Sequence, residues 1–207
     1  MINTLKNFIV LEGLDGAGTT TQLKKLKAEL ERIGYTIYMT NEPTSQPIGK
    51  LVRSVLSGDF KTTPLALATL YSADREDHIN NSEYGIIKQI SDNKIVISDR
   101  YFYSSLAYQG VNCNFNKVVE LNKDFPHPQI LIYIETPVEV CISRIESRGE
   151  KKEIFEKREF LTQVNDNYNK VIQNLPSDVN LIKIDGTLSI EEITAIMSEK
   201  VIAILNK

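Results

Sequence analysis

Phe8-Ile9-Val10-Leu11-Glu12-Gly13-Leu14-Asp15-Gly16-Ala17-Gly18-Thr19-Thr20-Thr21 decides the fold. Phe8 to Leu11 is apolar without interruption, as a strand buried on both faces should be. A glycine-rich loop follows, and from Thr19 to Ile33 the residues Leu23, Leu26, Leu30 and Ile33 recur at helical spacing before Gly34 stops the helix. A strand, a glycine loop and a helix in this order make a phosphate cradle. Glycines let the backbone wrap the anion, and successive N–H groups point inward at the helix start. Gly13 to Thr20 fits the pattern Gly, four residues, Gly, Lys, Ser/Thr at every place except the lysine, which is Thr19. Gly13, Asp15, Gly16, Ala17, Gly18, Thr19 and Thr20 are therefore read as an ATP-phosphate loop, with the Thr20 hydroxyl as a Mg²⁺ ligand. On its own, a loop without the lysine reads equally well as a tight turn that binds nothing. Its place between a buried strand and an amphipathic helix decides for binding. Lys24 and Lys25 lie roughly 7–9 Å further up the helix and point away from the loop mouth, so the compensating charge has to come from another segment.

Outward from this unit the same alternation repeats. Apolar runs at Tyr35–Met39, Ile95–Ile97, Ile130–Ile134 and Leu181–Ile184 are separated by helical patterns. Pro64 opens a helical stretch toward Ile90. Thr136 with Glu139, and Ser189 with Glu192, read as capping boxes. The expected fold is one α/β domain over residues 1–207, a parallel five-stranded sheet with helices on both faces. Ligands then bind at the carboxyl ends of the strands.

Composition narrows the function. The net charge is -3, which gives no sign of a sequence-independent grip on nucleic acid. No apolar run approaches the roughly 18 residues of a membrane span, and no signal peptide is visible, so a cytoplasmic protein without membrane or nucleic-acid partners is expected. The two cysteines, Cys113 and Cys141, do not form a Cys-x-x-Cys pair and read as ordinary thiols.

The residues after the other runs add chemistry. Glu42 follows the second run and, alone, reads as a solvated loop acid. Asp99-Arg100 follows the third: an acid there can hold Mg²⁺, and the arginine can fork onto a phosphate. Ser104-Ser105-Leu106-Ala107-Tyr108-Gln109-Gly110 offers hydroxyls, an amide and a ring, which suits a nucleobase. Tyr71, Asp74, Arg75 and His78 share one helix face, and His78 is given no catalytic role. Residues 144–158 carry Arg144, Arg148, Lys151, Lys152, Lys157 and Arg158 around Gly149, a charged helix–loop–helix that reads as a basic lid in a phosphoryl-transfer enzyme.

Taken in order, these motifs resemble the thymidylate kinase family of phosphate-loop nucleoside-monophosphate kinases. The resemblance rests on the loop, Glu42-Pro43, Ala73-Asp74-Arg75 with His78, Asp99-Arg100-Tyr101, the Ser104–Gly110 segment, Pro128 and Phe155-Glu156, and it covers nearly the whole chain. It implies an enzyme that moves the γ-phosphoryl group of ATP onto dTMP, with Mg²⁺, as a homodimer to which Pro47 to Leu70 contributes. It further implies Asp15, Asp99, Arg100 and Arg148 as catalytic residues, Thr20 and Asp99 at the metal, and Arg144 and Arg148 beside the loop at ATP. Asp15, Glu42, Tyr71, Arg75, Arg100, Ser104, Ser105, Tyr108 and Gln109 are implied at dTMP. Gly16 stands where some relatives place a loop arginine, so the basic residues are expected in the lid. Two departures, Thr19 for lysine and Asn41 where many relatives have arginine, remove positive charge. Two alternatives stand beside this reading: a kinase for another or several monophosphates, and a nucleotide-binding protein with little turnover.

Overall fold

The computed structural model describes residues 4–147 and 154–206. The elements run β1 (Thr4–Gly13), α1 (Thr19–Arg32), β2 (Ile37–Asn41), α2 (Pro47–Leu56), α3 (Pro64–Asn80), α4 (Ile86–Ser91) and β3 (Ile95–Asp99). They continue with α5 (Phe102–Asn112), α6 (Phe115–Asn122), β4 (His127–Glu135), α7 (Val138–Glu146), α8 (Ile154–Gln173), β5 (Asn180–Asp185) and α9 (Ile190–Leu205). The strands form one parallel sheet in the order β2-β3-β1-β4-β5. The strand that leads into the glycine loop is therefore central, and Phe8 to Leu11 are fully buried. α1 and α9 pack together over one face, and α3, α4, α5 and α8 make a contiguous layer over the other. This is the α/β architecture expected from the sequence. Among the described residues no helix is long and apolar enough to cross a membrane.

Three local differences have physical reasons. β2 begins at Ile37 rather than Tyr35, because Gly34 N–H bonds Glu31 O at 3.0 Å and Tyr35 N–H bonds Leu30 O at 3.1 Å, which closes α1 with φ +98 at Gly34. The stretch from Pro64 to Ile90 is two helices. Asn81 Oδ1 accepts Glu83 N–H at 2.9 Å, and a Cβ on Gly85 would stand 2.4 Å from Asn81 O, so the chain turns there before α4. The capping box at Thr136 and Glu139 does not form: Pro137 is the N-cap, the Thr136 hydroxyl is buried without a partner, and Glu139 pairs with Arg158 at 2.8 Å. The box at Ser189 and Glu192 is present. Of the basic lid segment, Arg148, Lys151 and Lys152 lie outside the described residues.

Candidate active site

The carboxyl ends of β1, β2 and β3 meet in one cleft of about 1210 Å³. The glycine loop forms its floor. Gly16 and Gly18 have φ +88 and +94, which an L side chain rarely adopts. A Cβ on Gly16 would also stand 2.6 Å from Cys141 O, so this position admits only glycine without a shift of the loop. Gly16→Ala should lower the melting temperature by about 2–8 °C, since a left-handed non-glycine residue costs about 1–2 kcal/mol. It should also weaken ATP binding at least about tenfold, because the amides that face the phosphate move with the loop. Thermal melts and ATP calorimetry check both.

Thr19 opens α1 and is buried, its methyl packed beside Gly13. Thr20 Oγ–H donates to Asp99 Oδ2 at 2.6 Å, while Asp99 Oδ1 is buried and has no hydrogen-bond partner. A hydroxyl beside a carboxylate with one oxygen unspent is the donor set that Mg²⁺ uses when phosphates supply further ligands. Among the described residues no cluster of three or more His, Cys, Asp or Glu competes as a metal centre.

Arg100 lies directly beyond this pair. Its φ is +72, and its backbone is held from both sides: its N–H donates to Leu11 O at 2.9 Å, and its carbonyl accepts Ser98 Oγ–H at 2.7 Å. The guanidinium donates to Asp15 Oδ1 at 2.7 Å and to Ser104 Oγ at 2.9 Å, with Tyr168 OH at 3.4 Å, and it lies 5.0 Å from the Tyr108 ring centroid. Tyr108 OH accepts the Asp15 N–H at 2.9 Å, so loop, acid, arginine and ring form one unit.

The second wall comes from α3. Arg75 is 1% exposed and donates to Glu42 Oε2 through Nε at 2.9 Å and Nη2 at 2.6 Å, to Ser105 Oγ at 3.0 Å, and to Asn122. His78 Nδ1 lies 3.0 Å from Glu42 Oε1, and its Nε2 lies 2.6 Å from Thr40 Oγ1. Glu42 is thus not the solvated acid it resembles in isolation; both its oxygens are engaged and it fixes Arg75. Asp74 accepts from Thr44 N–H at 2.7 Å and Thr44 Oγ at 2.6 Å, which pins the turn after β2. Burial raises the Asp74 carboxyl above its usual range against the pull of those bonds. Burial pushes the Tyr71 hydroxyl up to about 12, further above the neutral range in which a phenol is already protonated. Tyr71, Arg75, Ser105, Tyr108 and Gln109 all line the cleft.

Other expected residues sit differently. Arg144 donates to Gly186 O at 2.9 Å, with Gly16 O and Ala17 O at 3.4 and 3.5 Å, and so ties the loop to the turn after β5. Lys24 and Lys25 are exposed, and Lys25 lies 3.7 Å from Glu191. Lys157, on α8, lines the cleft.

Sequence reasoning missed Arg53, Glu12 and Tyr168. Arg53, on α2, lines the cleft and donates to the carbonyls of Pro43 and Thr44. Its only signal was its position on the face of a helix not read as part of the site. Glu12 had a signal, an acid ending a buried run. Tyr168 had none, because 156 residues separate it from Glu12, whose oxygen accepts its hydroxyl.

A central parallel strand that runs through a glycine loop into a helix N-terminus, with a hydroxyl–carboxylate pair beside it, defines a phosphate-loop nucleotide-binding protein. The family model described as Thymidylate kinase matches residues 11–196, and the chain belongs to that family. Proteins named "Probable thymidylate kinase" from Pyrococcus horikoshii and Thermococcus kodakarensis are 40% identical over 176 and 179 residues, 82% of this chain and 84% and 85% of theirs. A Treponema pallidum protein, also named as a thymidylate kinase, is 37% identical over 193 residues, 92% of each chain.

Proposed function

We propose that this chain transfers the γ-phosphoryl group of ATP to dTMP, giving dTDP and ADP. The observation that carries the reading is Arg100, held at the loop mouth between Asp15 and Ser104, with Arg75, Ser105 and Gln109 lining the same cleft. Phosphoryl transfer asks for positioning and charge neutralisation rather than covalent chemistry. The amides of Gly16 to Thr20 hold the donor phosphates, and Arg144 braces their loop. Thr20 and Asp99 are the residues that would hold Mg²⁺, which when bound neutralises charge on the β- and γ-phosphates. Arg100 forks onto the acceptor phosphate, and Asp15 orients it.

Tyr71 supplies a ring for the base. Arg75, held rigid by Glu42, meets its edge together with Ser105 and Gln109, and Tyr108 stands near the sugar. Ser104 acts on the acceptor through Arg100. Arg148, Lys151 and Lys152 belong to the lid in this reading and bring cations as it closes. The protein works in the cytoplasm as a homodimer, with the exposed Leu51 and Leu56 on α2, Phe60 in the loop after it and Leu65 at the start of α3 as apolar contact surface. Thr19 favours a second reading, nucleotide binding with little turnover.

A coupled ADP-release assay with each monophosphate in turn tests the proposal. dTMP should be the best acceptor, dUMP next, and dCMP and purine monophosphates at least about tenfold lower in kcat/KM, since an unpaired polar group in such a site costs about 1–3 kcal/mol. Equal kcat/KM for dCMP and dTMP would remove the thymine assignment.

A further inference from the structure

Glu12 has no role in the chemistry described so far. It stands at the end of β1, one residue before the glycine loop, and is 1% exposed. Its carboxylate accepts four hydrogen bonds. Oε1 takes the Tyr101 N–H at 2.8 Å and the Ser104 N–H at 3.2 Å; Oε2 takes Ser104 Oγ–H at 2.6 Å and Tyr168 O–H at 2.8 Å. The two amides belong to the first turn of α5, whose N-cap, Tyr101, offers no side-chain cap; an acid from another strand caps the helix instead. The two hydroxyls are the same oxygens that face Arg100 Nη1, at 2.9 and 3.4 Å, and they lie 2.9 Å from each other. One carboxylate thus gathers the start of α5, the C-terminal half of α8 and the side chain of Arg100.

A purely structural cap has less costly forms. Burial pushes the Glu12 carboxyl up to about 7, against the pull of Arg100, Ser104, Tyr168 and the Tyr101 amide, so holding it ionised at neutral pH works against stability. The folded value is raised, so the stability this group contributes is full at acid pH and lost as pH rises through about 7. A neutral hydroxyl or amide would cap α5 without that penalty. What only the carboxylate does is hold two hydroxyls at once against a guanidinium. Arg100 also keeps a left-handed backbone, which persists only where the surroundings over-determine it.

We propose that Glu12 is a positioning residue for phosphoryl transfer: from the end of β1 its carboxylate locks the Ser104 and Tyr168 hydroxyls against Arg100 and fixes where that guanidinium meets the acceptor phosphate. The proposal rests on the kinase reading above. It also ties Arg100 to α8, whose Lys157 and Phe160 line the cleft.

The test compares Glu12→Gln and Tyr168→Phe with the natural protein, each alone and in the Arg100→Ala background. Each single change should lower kcat/KM for dTMP about 10- to 100-fold, the size expected for a misplaced reacting group. ATP affinity should stay within about threefold, and in the Arg100→Ala background the further loss should fall below about threefold, because the lost group acts through Arg100. Tyr168→Phe removes a single hydroxyl and decides the matter if Glu12→Gln does not fold. Equal weakening of ATP and dTMP with a lower melting temperature, or full additivity with Arg100→Ala, would overturn the proposal and leave Glu12 a cap. Failure of the natural protein both to bind dTMP in calorimetry and to turn it over would instead overturn the kinase reading, and this proposal with it.

Discussion

Arg100→Ala will lower kcat/KM for dTMP by about 10²- to 10⁴-fold and change ATP affinity little. A hydrogen bond to a charged partner contributes about 1.5–3 kcal/mol, and a guanidinium fork makes two of them. The arginine is preorganised to make that fork, since Asp15, Ser104 and the Tyr108 ring hold it on three sides. Its backbone stays left-handed in the alanine variant, so the strain at φ +72 is present before and after, and the activity change reports the lost side chain. Separate titrations of ATP and dTMP, with steady-state kinetics, give the comparison. Collapse of ATP affinity with dTMP untouched would place Arg100 on the donor instead.

Thr19→Lys will raise kcat by about 10²-fold, because one preorganised donor at the transferring phosphate contributes about 3 kcal/mol. The natural hydroxyl donates one hydrogen bond and brings no charge. The loop amides are unaffected by this side chain, so the natural protein binds nucleotide all the same. Two features oppose the gain. The Thr19 methyl packs beside Gly13, and Arg100 and Lys157 already bring positive charge to the cleft, where a further cation meets repulsion. Single-turnover rates for both proteins decide; a lower rate in the lysine variant with unchanged ATP affinity would show that the loop is built around threonine.

The sheet was legible because its strands are nearly continuous apolar runs and its loops carry glycine where the chain must turn back, as at Gly34. What misled was local pattern without context. Thr136 and Glu139 have capping-box spacing, yet Pro137 takes the cap and Glu139 finds Arg158 across α7 and α8. Within the site, the residues next to strand ends were readable from position. The partnerships that orient them were not. Nothing in the spacing says that Glu42 spends both oxygens on Arg75 and His78, or that Tyr168 reaches Glu12, because these contacts exist only after β-α-β crossovers bring distant segments together. The exposed look of a charged helix face also hid its burial, since Asp74 is satisfied by Thr44, and Arg75 and His78 by Glu42, rather than by water.

Whether a phosphate loop with Thr19 in place of lysine still catalyses is settled by rapid-quench single turnover, with enzyme in excess over γ-labelled ATP and saturating dTMP. The expected result is label in dTDP at a measurable rate that disappears when Mg²⁺ is chelated. No label in dTDP from the natural protein, with transfer appearing in Thr19→Lys, would contradict it.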